Sequence, residues 1–164
     1  QMCIRDRAQC VTDDGRVVQL DRRTQVVYDR AGVVEKFGVP PESIPDYLAL
    51  VGDTADGFPG LAGWGAKSTA TVLAHYGHLE DVPADAASWD VSVRGAAKLA
   101  RTLADQLEQA LLFRRIATVE TDVEVGVVDD WCWRGPRADF AEVCAAIDAD
   151  GLAERARALA DART

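Results

Sequence analysis

The stretch GDTADGFPGLAGWGAKSTATVL, residues 52–73, decides how the chain is read: a glycine-rich turn carrying two aspartates runs straight into an apolar helical segment with a single lysine at its start. Within it, GLAGWGAKSTA follows the pattern Gly-x-x-Gly-hydrophobic-Gly-x-Lys-Ser/Thr-x-Ala. Glycines allow positive φ and bring the backbone close to a ligand. The first N–H groups of the next helix are then free to receive a phosphate oxygen, helped by the helix dipole and by Lys67 as a point charge. A triphosphate-binding loop would need Gly-x4-Gly-Lys-Ser/Thr after a strand. Here Ala66 separates Gly65 from Lys67 and no strand pattern precedes the glycines, so that class is excluded. Capture of a nucleic-acid phosphate fits better, and a plain helix-connecting turn is the competing reading. Asp53 and Asp56 stand three residues apart between Gly52 and Gly57, where a turn can aim both carboxylates at one hard cation. Such pairs also arise as caps or solvated surface.

Outward from this loop, AGVVEKFG (31–38) reads as a short helix stopped by Gly38. PPESIPDYLALVG (40–52) reads as a second, with Pro41 in its first turn and Ile44, Tyr47, Leu48 and Val51 on one apolar face. AKSTATVLAHYG (66–77) is a third, with Val72, Leu73 and Tyr76 apolar and Gly77 as its stop. Residues 91–120 form the longest helical stretch, broken once between Asp105 and Glu108, with leucines 99, 103, 107, 111 and 112 marking its core face. Upstream, β-branched runs at 16–20 and 25–28 suggest two brief strands around a turn. The tail from Thr121 begins as a strand-like segment and ends in one or two acidic helices. The first seven residues, QMCIRDR, match the in-frame translation of a transposon-end sequencing adapter, so natural sequence is expected from about Ala8, with whatever lay upstream missing.

Composition narrows the function classes. The 164 residues are 48 % hydrophobic, enough for one buried core, and the net charge is −9. No apolar run approaches the roughly 20 residues of a membrane span, and the N-terminus lacks a secretory pattern. A cytoplasmic protein without membrane association is expected. Cys3, Cys10, Cys132 and Cys144 form no CxxC pair, and Cys10, Cys132 and Cys144 read as ordinary small apolar residues. Charge is unevenly spread: residues 92–118 hold two acids and five bases (Arg94, Lys98, Arg101, Arg114 and Arg115), while residues 119–164 hold 11 acids and five bases. The basic residues recur at roughly helical spacing and could form a stripe against phosphates, or simply a solvated helix face.

The segment GDTADGFPGLAGWGAKSTATVLAHYG closely resembles the helix-three-turn-helix of the bacterial 5'-3' exonuclease and flap endonuclease family, the family of the N-terminal nuclease domain of DNA polymerase I. EKFGVPPESIPDYLALVGD and ALLFRRIATVETDV resemble flanking family stretches, so the likeness covers about residues 8–125, and WCWRGP resembles the free-standing exonucleases. The resemblance implies phosphodiester hydrolysis at 5' flaps and 5' ends with two divalent metals, Mg2+ or Mn2+. Asp53 and Asp56 take the positions of the two aspartates that ligate the second metal. Gly60, Gly63, Gly65, Lys67 and Ser68 take those that hold duplex DNA backbone, with K+ a further candidate at the turn; Arg94 and Lys98 extend this DNA-binding set. Trp64 occupies the hydrophobic position of the turn and is expected to pack inward. The family's upstream motif Gly-Asp-Lys/Arg-Asp-Leu-Ala-Gln registers on residues 3–9, where Ile4 replaces its first aspartate and Asp6 meets the second. With most active-site carboxylates expected upstream, this chain alone is expected to bind DNA without cutting it. The expected fold is mainly α with a small β remnant: residues 8–30 from the catalytic α/β domain, 31–120 a helix-hairpin-helix (helix-three-turn-helix) subdomain, and 121–164 a strand with acidic helices. A monomer is expected. Two other classes stay open, a stand-alone helix-hairpin-helix DNA-binding module without catalysis and an acidic helical interaction protein.

Overall fold

The computed structural model describes residues 5–163. Seven α-helices and one two-stranded sheet make up its regular structure, so the fold is mostly helical. Two compact units divide the chain, residues 1–121 and 122–164. The adapter match and the upstream motif register fall partly on residues 1–4, including Cys3 and Ile4, which lie outside the described residues.

In the first unit, Asp6–Cys10 forms a 3-10 turn, followed by β1 (Gln19–Asp21) and β2 (Val26–Tyr28), which pair antiparallel with Gln19 opposite Tyr28. Leu20, Val26 and Val27 on these strands are exposed, as expected for strands that, among the described residues, pair only with each other. Helix α1 (Arg30–Phe37) starts where the Asp29 side chain accepts from the Gly32 N–H and stops at Gly38 in the left-handed region. Pro41–Ser43 makes a 3-10 turn into α2 (Ile44–Val51).

Helix α2 differs from the one-faced expectation. Every residue from Ile44 to Leu50 is buried, because α5 (Leu107–Ala117) and α3 (Ala66–Tyr76) pack against it. A helix apolar on all sides is a core helix, and here even its one acid, Asp46, is buried. Phe58 stacks on Phe113 at 5.4 Å between ring centroids, joining the loop after α2 to α5. The Gln9 amide donates to the Ala117 carbonyl at 2.9 Å and accepts from the Val119 N–H at 3.0 Å, tying the N-terminal turn to the end of α5.

The long helical stretch is two helices, α4 (Ala96–Asp105) and α5, meeting at Gln106 within the expected break. It begins later than expected. Gly95 adopts φ +78°, outside helical geometry, and residues 91–94 lead in as an irregular segment. Leu99 and Leu103 are buried and Leu107 and Leu111 partly so, whereas Leu112 is exposed and does not belong to the core face.

In the second unit, the expected strand at the start of the tail does not form. Val123, Val125 and Val127 alternate as a strand would but pair with no other segment among the described residues, and all three are exposed. A 3-10 turn at Val128–Trp131 precedes α6 (Phe140–Ala146) and α7 (Asp150–Asp161). Cys144 is buried as an apolar residue would be and Cys10 half-buried, but Cys132 is exposed, so the apolar reading fails there.

Candidate nucleic-acid interface

The loop between α2 and α3 is a backbone crossing followed by a helix start. After α2, Gly52 (φ +89°) turns the chain, and Asp53 and Phe58 exchange backbone hydrogen bonds, N–H of Asp53 to O of Phe58 at 3.0 Å and the reverse at 3.1 Å. The Asp56 N–H donates to the Asp53 carbonyl at 3.2 Å. Gly60 (φ +73°) then passes directly against Gly52, and the Leu61 N–H donates to the Leu50 carbonyl at 2.9 Å. A β-carbon on Gly60 would lie 2.5 Å from the Gly52 nitrogen and from the Leu50 oxygen. Only glycine permits this approach.

Beyond the crossing, Trp64 anchors the turn. It is 5 % exposed and its ring lies 6.1 Å from that of Trp89, so the inward packing read from sequence is what the structure shows. Gly63 (φ +90°) faces α4, where the nearest atom to its missing β-carbon is Leu99 Cδ2 at 3.6 Å. Gly65 precedes α3 with φ −126°; its N–H donates to Ser68 Oγ at 3.1 Å, and that hydroxyl donates back to the Gly65 carbonyl at 3.0 Å. Ser68 therefore caps the helix start. A β-carbon on Gly65 would meet no atom within 4 Å, so this side of the turn is open.

The expected binding residues fall into two groups. Gly63, Gly65, Lys67 and Ser68 lie together on the turn, and Lys67 is exposed with no ion pair among the described residues. Lys98 is adjacent in α4 to the Leu99 that faces Gly63, and Arg94 precedes the α4 N-cap; Lys98, Arg94 and Arg101 are all exposed. Gly60 belongs to the crossing instead. Arg114 does not continue the basic stripe, because it is consumed by internal ion pairs. Its Nη1 donates to Asp46 Oδ1 at 2.9 Å and to Glu80 Oε2 at 2.6 Å, and its Nη2 also bonds Glu80. Arg115 pairs with Glu120.

The Arg114 cluster was not signalled by sequence. Asp46, 2 % exposed, also accepts from His78 Nδ1 at 2.9 Å and from the Leu79 N–H at 3.4 Å. The hydrogen bond to Asp46 raises the His78 pKa above its ordinary value, with burial opposing, and the bond from Arg114 lowers that of Glu80. Arg114 is held still more firmly protonated, chiefly by Glu80. These partners are 32 to 68 residues apart along the chain, beyond any local pattern. A buried acid in an otherwise apolar helix was the one available sign.

Asp53 and Asp56 differ in environment. Asp53 is fully buried; its Oδ1 accepts from the Ala55 N–H at 3.0 Å and pairs with Arg5 Nη2 at 2.9 Å, while its Oδ2 has no partner among the described residues. Asp56 is exposed. The unpartnered Oδ2 is an oxygen that a hard cation would take. The guanidinium already on Oδ1 opposes it, and no group of three or more His, Cys, Asp or Glu side chains gathers among the described residues. With Arg5 in place, a residue of the adapter-matching segment 1–7, the described residues do not fit a divalent ion.

Comparison with known proteins agrees with this architecture. Residues 39–139 match the family described as 5'-3' exonuclease, C-terminal SAM fold. The chain is 38 % identical over 139 residues to DNA polymerase I of Pseudomonas aeruginosa, covering 80 % of this chain and 14 % of that protein. It is 40 % identical over 78 residues to a 5'-3' exonuclease of Aquifex aeolicus, covering 48 % of this chain and 26 % of that one. A 5'-3' exonuclease of Buchnera aphidicola is 31 % identical over 108 residues, covering 63 % and 35 %. The chain thus spans between about a seventh and a third of the length of these relatives. With the glycine crossing, the capped helix start and the matched span all falling on one stretch, the chain belongs to the 5'-3' exonuclease family through its C-terminal SAM-fold domain.

Proposed function

We propose that the turn at 60–68 and the start of α4 form a clamp for the backbone of duplex DNA, serving a 5'-3' exonuclease that acts on 5' ends or flaps. The observation that carries this reading is the open side of the turn. Beyond its chain neighbours, no atom among the described residues lies within 4 Å of where a Gly65 β-carbon would sit, directly before a helix N-terminus and an exposed lysine. Helix-start N–H groups and a nearby ammonium suit a phosphate oxygen. Gly63, Gly65, Lys67 and Ser68 hold one strand, with K+ at the turn as a further aid, and Arg94 and Lys98 reach an adjacent phosphate; Gly60 shapes the loop behind them. The acidic surface of the tail is compatible with this, since duplex contacts need a local basic patch rather than a basic protein.

Asp53 and Asp56 are the two carboxylates this chain would contribute to a Mg2+ or Mn2+ site that acidic residues outside it complete. On its own the chain binds DNA without cleaving it, as a cytoplasmic monomer. Residues 8–30 belong with the catalytic α/β part, 31–120 with the DNA-holding part, and 121–164 with a separate acidic tail. Fluorescence anisotropy of a labelled 5'-flap duplex, read over a range of salt, tests the clamp. Affinity should fall with a log–log slope of about −0.9 per phosphate held, and Lys67→Ala should reduce that slope by about 1. Affinity indifferent to salt, or unchanged by Lys67→Ala, would sink it.

A further inference from the structure

Tryptophan is among the more buried residues on average, yet the second unit, residues 122–164, leaves two of them open to solvent. Trp131 is 74 % exposed although its Nε1 donates to the Val125 carbonyl at 2.7 Å, so the indole is pinned in place with its surface in water. Trp133 lines a cavity of about 480 Å3 with Pro136, Phe140, Val143 and Ala156, and the chain's own Arg163 guanidinium lies over its ring at 5.7 Å. Phe140 and Val143 share a face of α6, and Ile147 at the C-cap continues that line, 64 % exposed. An apolar groove of this kind accepts many segments, and charge narrows the choice. Residues 122–164 hold ten Asp and Glu against five Arg and no Lys. Arg137, which also lines the cavity, is neutralised by Asp139, to which its Nε and Nη2 donate at 3.1 and 2.9 Å. Asp129 and Glu142 are exposed and have no ion pair among the described residues. We propose that this unit docks a cationic amphipathic helix of a partner protein, its apolar face along Phe140, Val143 and Ile147 and one of its arginines stacked on Trp131 as Arg163 is on Trp133. A flat guanidinium suits an indole face, the surplus carboxylates supply the counter-charge, and a helix matches the spacing of the apolar line. This docking uses none of the residues of the DNA clamp.

The probe is a fluorescein-labelled helical peptide of about 16 residues, long enough to form a helix alone, with leucines on one face and arginines on the other. Its isomer with glutamate in place of arginine is the control, and binding to the full chain is read by fluorescence anisotropy. The arginine peptide should bind and the glutamate isomer should not. Trp131→Ala should weaken binding about fivefold, within the range of a partly desolvated cation–π contact. Ile147→Ser should weaken it severalfold through lost apolar contact. Both side chains are mostly exposed, so neither substitution removes core packing. Arginine-peptide binding that is unchanged in both variants is attraction to the acidic surface at large and overturns the docking site. Equal binding of the glutamate isomer overturns it as well, because the partner's charge then plays no part. An oligothymidine strand is run alongside: if it quenches tryptophan fluorescence in the parent but not in Trp131→Ala, while the arginine peptide does not bind, the indole is a stacking surface for single-stranded nucleic acid and the proposal falls.

Discussion

Gly52 and Gly60 are in backbone contact: a β-carbon on Gly52 would lie 2.5 Å from the Pro59 carbonyl and 2.8 Å from the Gly60 nitrogen, and one on Gly60 would lie 2.5 Å from the Gly52 nitrogen. Both also have positive φ, +89° and +73°. The crossing sets where α3 begins, so it positions Lys67 without touching a ligand. Alanine at Gly60 must push backbone against backbone and adopt a left-handed conformation. Gly60→Ala should therefore cost about 3 kcal/mol or more of stability, read by urea denaturation. Gly65→Ala has ordinary φ and open space, so its stability cost should stay at or below about 1 kcal/mol, the worth of a helix cap. If DNA phosphate approaches that open side, the added methyl should nonetheless weaken flap-duplex binding severalfold. Equal effects of the two substitutions on stability would contradict the geometry.

Trp64 and Trp89 pack the far side of the same turn, with rings tilted 44° at 6.1 Å. Both are buried, Trp64 at 5 % and Trp89 at 9 % exposure, and Trp89 Nε1 donates to the Pro83 carbonyl at 2.7 Å. Trp64→Ala should cost about 3–5 kcal/mol, seen as a lowered denaturant midpoint. Trp64→Phe retains much of the apolar volume and should lose less, while leaving DNA affinity within about twofold of the parent because the indole faces the core rather than a base. A large affinity loss in a well-folded Trp64→Phe chain would place the ring on DNA instead.

How far the sequence carried the fold depends on whether the deciding interactions are local. Helix ends written by Gly38 and Gly77, and the break at Gln106, were readable because caps and turns act over a few residues. The inward side of Trp64 was readable from its place between two turn glycines. Val123, Val125 and Val127 misled because alternation signals a strand only if a partner strand is there to bond it, and no described segment provides one. Arg114 misled for a related reason. Its helical spacing matched the basic stripe, but Asp46 and Glu80, 68 and 34 residues away in sequence, turn it inward. The Arg5–Asp53 pair spans a similar distance and was equally invisible to periodicity.

That long-range cluster around Asp46 yields a dependence on acidity. Asp46 lies in α2, Arg114 in α5, and His78 and Glu80 beside the end of α3, so the four side chains fasten three elements together. Removing one partner strands a buried charge, which costs about 3–5 kcal/mol in such settings; Arg114→Met should show a loss of that order in urea unfolding, and restoring neutrality with Arg114→Met/Asp46→Leu should recover part of it. His78 contributes in a pH-dependent way. Its pKa is raised in the folded chain, first by the hydrogen bond to Asp46, so the folded state binds the proton more tightly than the unfolded state does. The resulting stabilisation is fully present below the unfolded value of about 6.5 and disappears as pH rises through the higher folded value. Glu80 behaves oppositely: its pKa is lowered by Arg114, and its contribution is lost as pH falls below the ordinary carboxylate range. The melting-temperature difference between the parent and His78→Gln should therefore be largest near pH 5.5 and should shrink towards pH 8.5. A difference that stays constant across that range would mean the His78–Asp46 contact is not sensed by the imidazole's proton.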